Sequence, residues 1–424
     1  MKRDVNIAIL GFGTVGTGVY KIINTEGEKI AHKENLQLKV RKVLSRSYHY
    51  DIPEEIKAAD IDEIVSDPSI DIVIETMGGI QPAKSYVISA LKAGKTVVSA
   101  NKQMISTNWP DIEEAAKSTG AGFYFEASVG GGIPLLRAID DSLQANTMSS
   151  VFAIINGTTN YILTKMTNNG SDYGEVLAEA QKLGYAEADP TADVDGYDAM
   201  YKLSILASKA FHSRLPIECI YREGITKVTK QDIQYAKDFG YVIKLLAIAK
   251  REGDVVELRV HPTMIPQSHP LANVHDSFNA IFMKGNHVGD VMLYGRGAGD
   301  LPTASAVLSD VIYASHARQH KYATFENKNG FVSPILTFND NWECPFYIRL
   351  NLLNVPGVLS KVTKVMGDHN ISILSVMQKE AQKNHATIVF LTYPSKEKDI
   401  QHVLEELRNT DIVNEVGSVI RIED

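Results

Sequence analysis

Two lysines and a run of carboxylates are the residues in this chain whose types and spacing best suit chemistry. Lys202 closes the stretch Glu187-Ala-Asp189-Pro190-Thr-Ala-Asp193-Val-Asp195-Gly-Tyr-Asp198-Ala-Met-Tyr-Lys202. On a helix, Asp198 and Lys202 stand four apart on one face, with Asp195 three residues earlier. That stripe continues through Ile205, Leu206 and Lys209, so Lys202 borders apolar surface. A lysine partly desolvated beside a carboxylate is a proton carrier. The same spacing also makes an ordinary i,i+4 salt bridge, and spacing alone does not separate the two. Lys102, in Ser99-Ala-Asn101-Lys102, follows a strand-like run at its carboxyl end, where α/β sheets place ligands. Two such cations beside carboxylates suit hydride transfer to a carbonyl. That reaction needs orientation, a charge stabiliser at the oxygen and a proton source.

The carrier of the hydride has a candidate seat in Gly11-Phe12-Gly13-Thr14-Val15-Gly16, a G-x-G-x-x-G pattern with a strand before it and a helix after. The first glycine allows the tight turn, the second lets a pyrophosphate approach the backbone, and the third permits close helix–strand packing. The helix N-terminus faces the negative charge. At the end of the second strand, where an NAD site carries an acidic residue, the chain has Ser45-Arg46-Ser47 and no carboxylate before Asp51. The planar fork of Arg46 suits a 2′-phosphate, which favours NADP and leaves NAD open.

Elements that must position these groups are readable from periodicity. Val5–Leu10, Leu38–Leu44, Ile70–Glu75, Thr96–Ser99 and Gly122–Glu126 read as strands alternating with helices, the first of them Thr14–Ile23. This predicts an α/β fold with a Rossmann-type doubly wound parallel sheet over 1–128. A segment of about 303–335, beginning with the helix-like Thr303–Tyr313, is expected to complete it. Residues 129–302 carry strand-like Val151–Ile155 and Val255–Thr263 with helix-like Tyr173–Leu183 and Ala199–Phe211, a mixed α/β substrate and dimerisation domain. The polar, turn-rich Phe338–Pro345 reads as a linker. Beyond it, 343–424 predicts strand 346–352, helix 357–369, strands 371–378 and 385–392, helix 396–408 and a last strand near 416–422. That order is the ferredoxin-like unit.

Composition excludes other classes. With 424 residues, 44% hydrophobic and 22% charged, the chain is long enough for two or three packed domains. A net charge of −8 argues against a nucleic-acid partner. No apolar stretch approaches a membrane span or a signal-peptide core, and the two distant cysteines, Cys219 and Cys344, form no disulfide framework or zinc cluster. The expected location is a reducing cytoplasm.

GFGTVG, SANK, FEASVGGGIPLL, NGTTNYILTKM, LGYAEADPTADVDGYDAMYK and YGRGAGDLPTASAV occur in an order that closely resembles homoserine dehydrogenase. The last 80 or so residues, with Asn351-Leu-Leu-Asn354-Val-Pro356-Gly357, resemble an ACT domain. With no preceding aspartate kinase portion, the form implied is the single-function one. The resemblance implies reversible NAD(P)H-dependent reduction of L-aspartate 4-semialdehyde to L-homoserine, on the route to threonine, isoleucine and methionine. It places Gly11, Phe12, Gly13, Thr14, Val15, Gly16 and Gly299 at the dinucleotide, and Arg46 near the adenosine ribose. Lys102 lies between cofactor and substrate. Glu187 and Asp198 bind the substrate, and Lys202 donates the proton. It further implies a sodium-type cation site at Glu126 and the carbonyls of Val129, Gly131 and Ile133, and a homodimer or homotetramer. Threonine is the implied effector at the ACT portion, although Asn354 stands where many ligand-binding relatives have Asp. The ACT portion would otherwise serve oligomer contacts alone.

Two rival readings are an acylating aldehyde dehydrogenase of the aspartate-semialdehyde type and a non-catalytic nucleotide and amino-acid sensor. The first needs an activated thiolate, and neither cysteine follows a strand end. The second leaves the ionisable set Lys102, Glu187, Asp198 and Lys202 without a purpose.

Overall fold

Residues 2–48, 50–317, 336–381 and 384–424 are described by the computed structural model. They form two compact units, the first drawing on described residues within 1–157, 198–220 and 278–335 and the second on 158–197, 221–277 and 336–424.

In the first unit, strands β1 (Arg3–Leu10), β2 (Leu36–Leu44), β3 (Ile72–Glu75), β4 (Thr96–Ser99) and β5 (Phe123–Tyr124) form an all-parallel sheet in the order β2-β1-β3-β4-β5. Ile7 to Leu10 are wholly buried, the continuous apolar run of a strand covered on both faces. Helix α1 spans Thr14–Glu34, about three turns beyond the Ile23 that apolar spacing suggests. It stops where Asn35 adopts the left-handed conformation at φ 56. The helix Asp300–His316 packs on α1, and Gly18 permits it, since a Cβ there would lie 2.8 Å from Asp300 O. Ile7, Ile9, Phe12, Val19, Ile74, Val98, Val307 and Val311 share this core. Of the segment expected to complete the domain, 318–335 lie outside the described residues.

One expected strand is cut short. Only Phe123 and Tyr124 of 122–126 are extended, and Glu126–Ser128 form a 3₁₀ turn. The Glu126 N–H goes to the Asp310 carboxylate at 2.8 Å, not to a strand partner, and that turns the chain off the sheet. The first unit also holds an antiparallel sheet of Met148–Ile154, Phe278–Gly285 and Gly289–Arg296.

The second unit has a long antiparallel pair, Tyr241–Glu252 with Val255–Pro266. The final strand Val413–Ile422 joins it in parallel through Arg421 and Thr263. Phe346–Leu353, His385–Thr392 and Ile373–Ala381 follow antiparallel. With helices Val358–Asp368 and Glu397–Arg408 this is the βαββαβ order expected of a ferredoxin-like unit. The expected linker is not a free tether: Trp342 and Cys344 are buried in the same core as Phe346 and Phe390, and Glu343–Cys344 pair with Ser395–Lys396. Trp342 is the cause, an aromatic anchor stacked on His261 and edge-on to Tyr221 within an otherwise polar string. Among the described residues no helix is long and apolar enough to cross a membrane.

Candidate active site

The glycine loop sits where β1 and β3 diverge, the switch point at which an open α/β sheet binds ligands. Gly11 holds φ +90, a conformation that favours glycine, and its N–H bonds Leu44 O at 2.9 Å. A Cβ on Gly16 would fall 2.1 Å from Gly11 O, so only glycine lets α1 start this close to the turn. Gly13 is open around its Cα and caps α1 without a side chain, and Gly13 and Thr14 are exposed at the helix start. An uncapped helix start with a bare glycine fits a pyrophosphate. Phe12 contributes backbone only, because its ring is buried against Tyr20 and Tyr48. Ser45 Oγ accepts from the Phe12 N–H at 3.2 Å and joins the end of β2 to the loop. Arg46, next in sequence, is exposed. Gly299, at φ +126, caps the helix that packs on α1.

A buried carboxyl that sequence reasoning missed organises the neighbouring strand ends. Glu75, the last residue of β3, accepts from Met77 N at 2.8 Å, Ser99 Oγ at 2.5 Å and Asn101 Nδ2 at 3.3 Å. Burial pushes its pKa up, against these donors. Thr76 Oγ1 donates to Gly11 O at 2.8 Å, so the same strand end also braces the glycine loop. Asn101 caps the helix Lys102–Thr119 by accepting from Met104 N at 3.0 Å, and Lys102 is therefore its first residue. A signal existed in both cases: a carboxylate closing an apolar strand, and an Asn ahead of a helical stretch.

Lys102, Asp198 and Lys202 come together. Asp198 is 7% exposed and Lys202 8%, both on the helix Tyr197–Ala210. Lys202 Nζ lies 2.6 Å from Asp198 Oδ2 and 2.8 Å from Ile155 O, while Lys102 Nζ lies 3.2 Å from Asp198 Oδ1. Asn156 Nδ2 adds a donor to Asp198 Oδ2 at 2.9 Å. Burial alone would raise the Asp198 carboxyl, but Lys202 and Lys102 hold it well below the ordinary range. Asp198 is therefore an anion at neutral pH and no proton donor. Two of the three Lys202 N–H groups are engaged, to Ile155 O and Asp198 Oδ2, and the third can still donate. The i,i+4 pair seen in sequence is thus a buried cluster and not a surface salt bridge.

Glu126 is buried, and its carboxylate collects the N–H groups of Leu135, Leu136 and Arg137 at 2.5, 2.8 and 2.7 Å. Burial raises its pKa against those amides. Among the described residues, the carbonyls of Val129, Gly131 and Ile133 accept no turn hydrogen bond, whereas Gly130 O accepts from Ile133. Carbonyls that accept no turn hydrogen bond, a few residues along the chain from a buried carboxylate, are the ligand types a hard monovalent cation takes. No group of three or more His, Cys, Asp or Glu among the described residues could hold a metal.

Glu187 belongs to the second unit and is exposed after the helix Tyr173–Lys182, its carbonyl accepting from Gln181 Nε2 at 3.0 Å. The cysteines offer no nucleophile: burial pushes the Cys344 thiol up to about 12 and raises Cys219 as well.

Comparison with known proteins agrees with this chemistry. Residues 11–126 match the family model of the homoserine dehydrogenase NAD-binding domain, 134–312 that of homoserine dehydrogenase, and 346–411 that of the ACT domain. A Bacillus subtilis homoserine dehydrogenase is 38% identical over 434 residues, covering 99% of each chain. The crystal structure of a Thiobacillus denitrificans homoserine dehydrogenase matches with a TM-score of 0.92 at 36% identity, covering 100% of this chain and 99% of that one. A hyperthermophilic archaeal homoserine dehydrogenase in complex with NADPH matches with a TM-score of 0.62 at 29% identity, covering 74% of this chain and 98% of that one.

Proposed function

The chain belongs to the homoserine dehydrogenase family and is an NAD(P)-dependent oxidoreductase, and from that premise we propose that Lys202 gives the proton that completes reduction of the aldehyde of L-aspartate 4-semialdehyde. The observation that carries this assignment is the buried Asp198–Lys202 pair, with the half-exposed Lys102 beside it at the sheet's carboxyl edge. Gly11–Gly16 and Gly299 would hold the nicotinamide cofactor, which would supply the hydride. Lys202 holds its ammonium toward the carbonyl oxygen and passes a proton to it as negative charge develops there. Asp198 stays ionised, orients Lys202 and offsets the charge of both lysines. Lys102, at the start of its helix, adds positive charge to the same pocket. Glu187 is assigned to the substrate's amino end.

NADP is the proposed preference, supported by exposed Arg46 in place of an acidic residue and by the archaeal relative that holds NADPH. The test is NADP-dependent oxidation of L-homoserine followed at the nicotinamide absorbance. Arg46→Ala should raise the KM for NADP about ten-fold and leave that for NAD nearly unchanged. No turnover of homoserine with either cofactor defeats the reading.

Glu126 with the carbonyls of Val129, Gly131 and Ile133 is proposed to hold sodium or a similar cation that stiffens the turn after β5. Replacing sodium by tetramethylammonium should lower the melting temperature and kcat of the parent chain but not of Glu126→Gln. Equal responses in the two proteins reject the site. Amino-acid feedback, with threonine as first candidate, and assembly as a homodimer or homotetramer complete the proposal.

A further inference from the structure

Strand β3 runs Ile72-Val73-Ile74-Glu75 with all four side chains buried, and the Glu75 carboxyl has no exposure at all. Glu75 makes no ion pair among the described residues. Its donors are a backbone amide, a hydroxyl and a carboxamide, all neutral. Burying a carboxyl among neutral groups is costly, and an apolar residue of similar size would pack there without that cost. Stability alone therefore does not account for Glu75. Its contacts lead toward the reaction on two sides, both within the first unit.

On one side lies Lys102. Asn101 Nδ2 donates to Glu75 Oε1 and to Gly79 O, at 3.3 and 2.7 Å, which engages both of its protons. The amide is thereby turned so that Oδ1 accepts from Met104 N and caps the helix Lys102–Thr119. Ser99 Oγ donates to Glu75 Oε2 and accepts from Asn101 N at 3.1 Å, so the backbone just ahead of Lys102 is tied to the same carboxyl. On the other side lies the glycine loop. Glu75 Oε1 holds Met77 N, and a Cβ on Gly11 would fall 3.0 Å from Met77 Cα. Thr76, between them, donates to Gly11 O.

We propose that Glu75 is a positioning residue for hydride transfer, whose carboxyl sets the spacing between the glycine loop and the start of the Lys102 helix. It acts through Asn101 on Lys102, and through Thr76 and Met77 on the loop. The first arm rests on the role proposed for Lys102, whereas the second rests only on dinucleotide binding at the loop.

The test is NADPH titration by fluorescence together with homoserine oxidation, on the full-length chain. Glu75→Leu keeps the bulk of the side chain and removes its acceptors. The Kd for NADPH should rise about ten-fold as the loop loses its preorganisation. At saturating cofactor kcat should fall about 100-fold, the cost of a small misplacement of a reacting group. Glu75→Gln, which still accepts from Met77 and Asn101 and offers Nε2 to Ser99 Oγ, should restore both to near the parent. In a Lys102→Ala background, Glu75→Leu should lower kcat little further. If Glu75→Leu does not fold, Ser99→Ala, which removes a single donor, carries the same readings in smaller degree. A merely structural role would lower the active fraction and leave the NADPH Kd and the single-turnover rate per active site unchanged. That result overturns the proposal, as does a Glu75→Gln variant as impaired as Glu75→Leu, or full additivity with Lys102→Ala. If Lys102→Ala alone turns over like the parent, the role of Lys102 and the arm through it fall together, while the NADPH Kd still decides the loop arm.

Discussion

Lys202→Ala is expected to lower kcat by roughly 10²–10⁴-fold, the usual contribution of a positioned general acid, with NADPH binding nearly unchanged. The cofactor loop and Lys202 lie on different elements, so truncating one need not disturb the other. The argument rests on placement: Lys202 is 8% exposed, and its ammonium group is held by Asp198 Oδ2 at 2.6 Å and Ile155 O at 2.8 Å, with one N–H left over. Lys202→Met, which keeps most of the volume, separates chemistry from packing and should lose as much rate as Lys202→Ala. Asp198 keeps Lys102 and Asn156 in either variant. In the parent, Lys202 and Lys102 keep Asp198 ionised despite its burial, so it donates no proton there. Stopped-flow measurement of a single turnover isolates the chemical step. A variant that turns over within a few-fold of the parent removes Lys202 from the proton path.

Much of this was legible in the sequence because local patterns carried it. GFGTVG needed only a strand before it and a helix after, and both are there. The ferredoxin-like unit was readable because each element alternates or repeats with its own period. What escaped depends on contacts between distant residues. Glu75 reads as the end of an apolar strand, and its role appears only when β4 brings Ser99 and Asn101 to it. Glu126 reads as part of a strand until Asp310, 184 residues away, takes its N–H. Phe338–Pro345 looks like a tether, since composition does not register that one Trp342 can anchor a polar string. The Asp198–Lys202 pair was found by spacing. Its burial was not, because it follows from Ile155 and Asn156 closing over it.

Asp198→Asn should have the second large effect, on stability as well as rate. The change leaves Lys202 buried without its counter-charge, and breaking a buried ion pair costs about 3–5 kcal/mol. The Lys102 share is smaller, because that side chain is 42% exposed and screened by solvent. The parent carboxylate is depressed in the folded protein by Lys202 and Lys102, despite burial, relative to an unfolded value of about 3.9. Its stabilisation is therefore fully present above about pH 4 and lost as pH falls through the lower folded value. Melting temperature should fall less steeply with acid in Asp198→Asn than in the parent. Kinetically, kcat/KM should drop at least about 100-fold, since Lys202 loses its orienting partner. Adding Lys202→Met to Asp198→Asn should recover stability, because the orphaned charge goes, while the rate falls little further. Residues that act as one unit give such non-additive losses. Strictly additive losses in rate and stability would falsify the cluster as a unit and leave Asp198 and Lys202 as independent contributors.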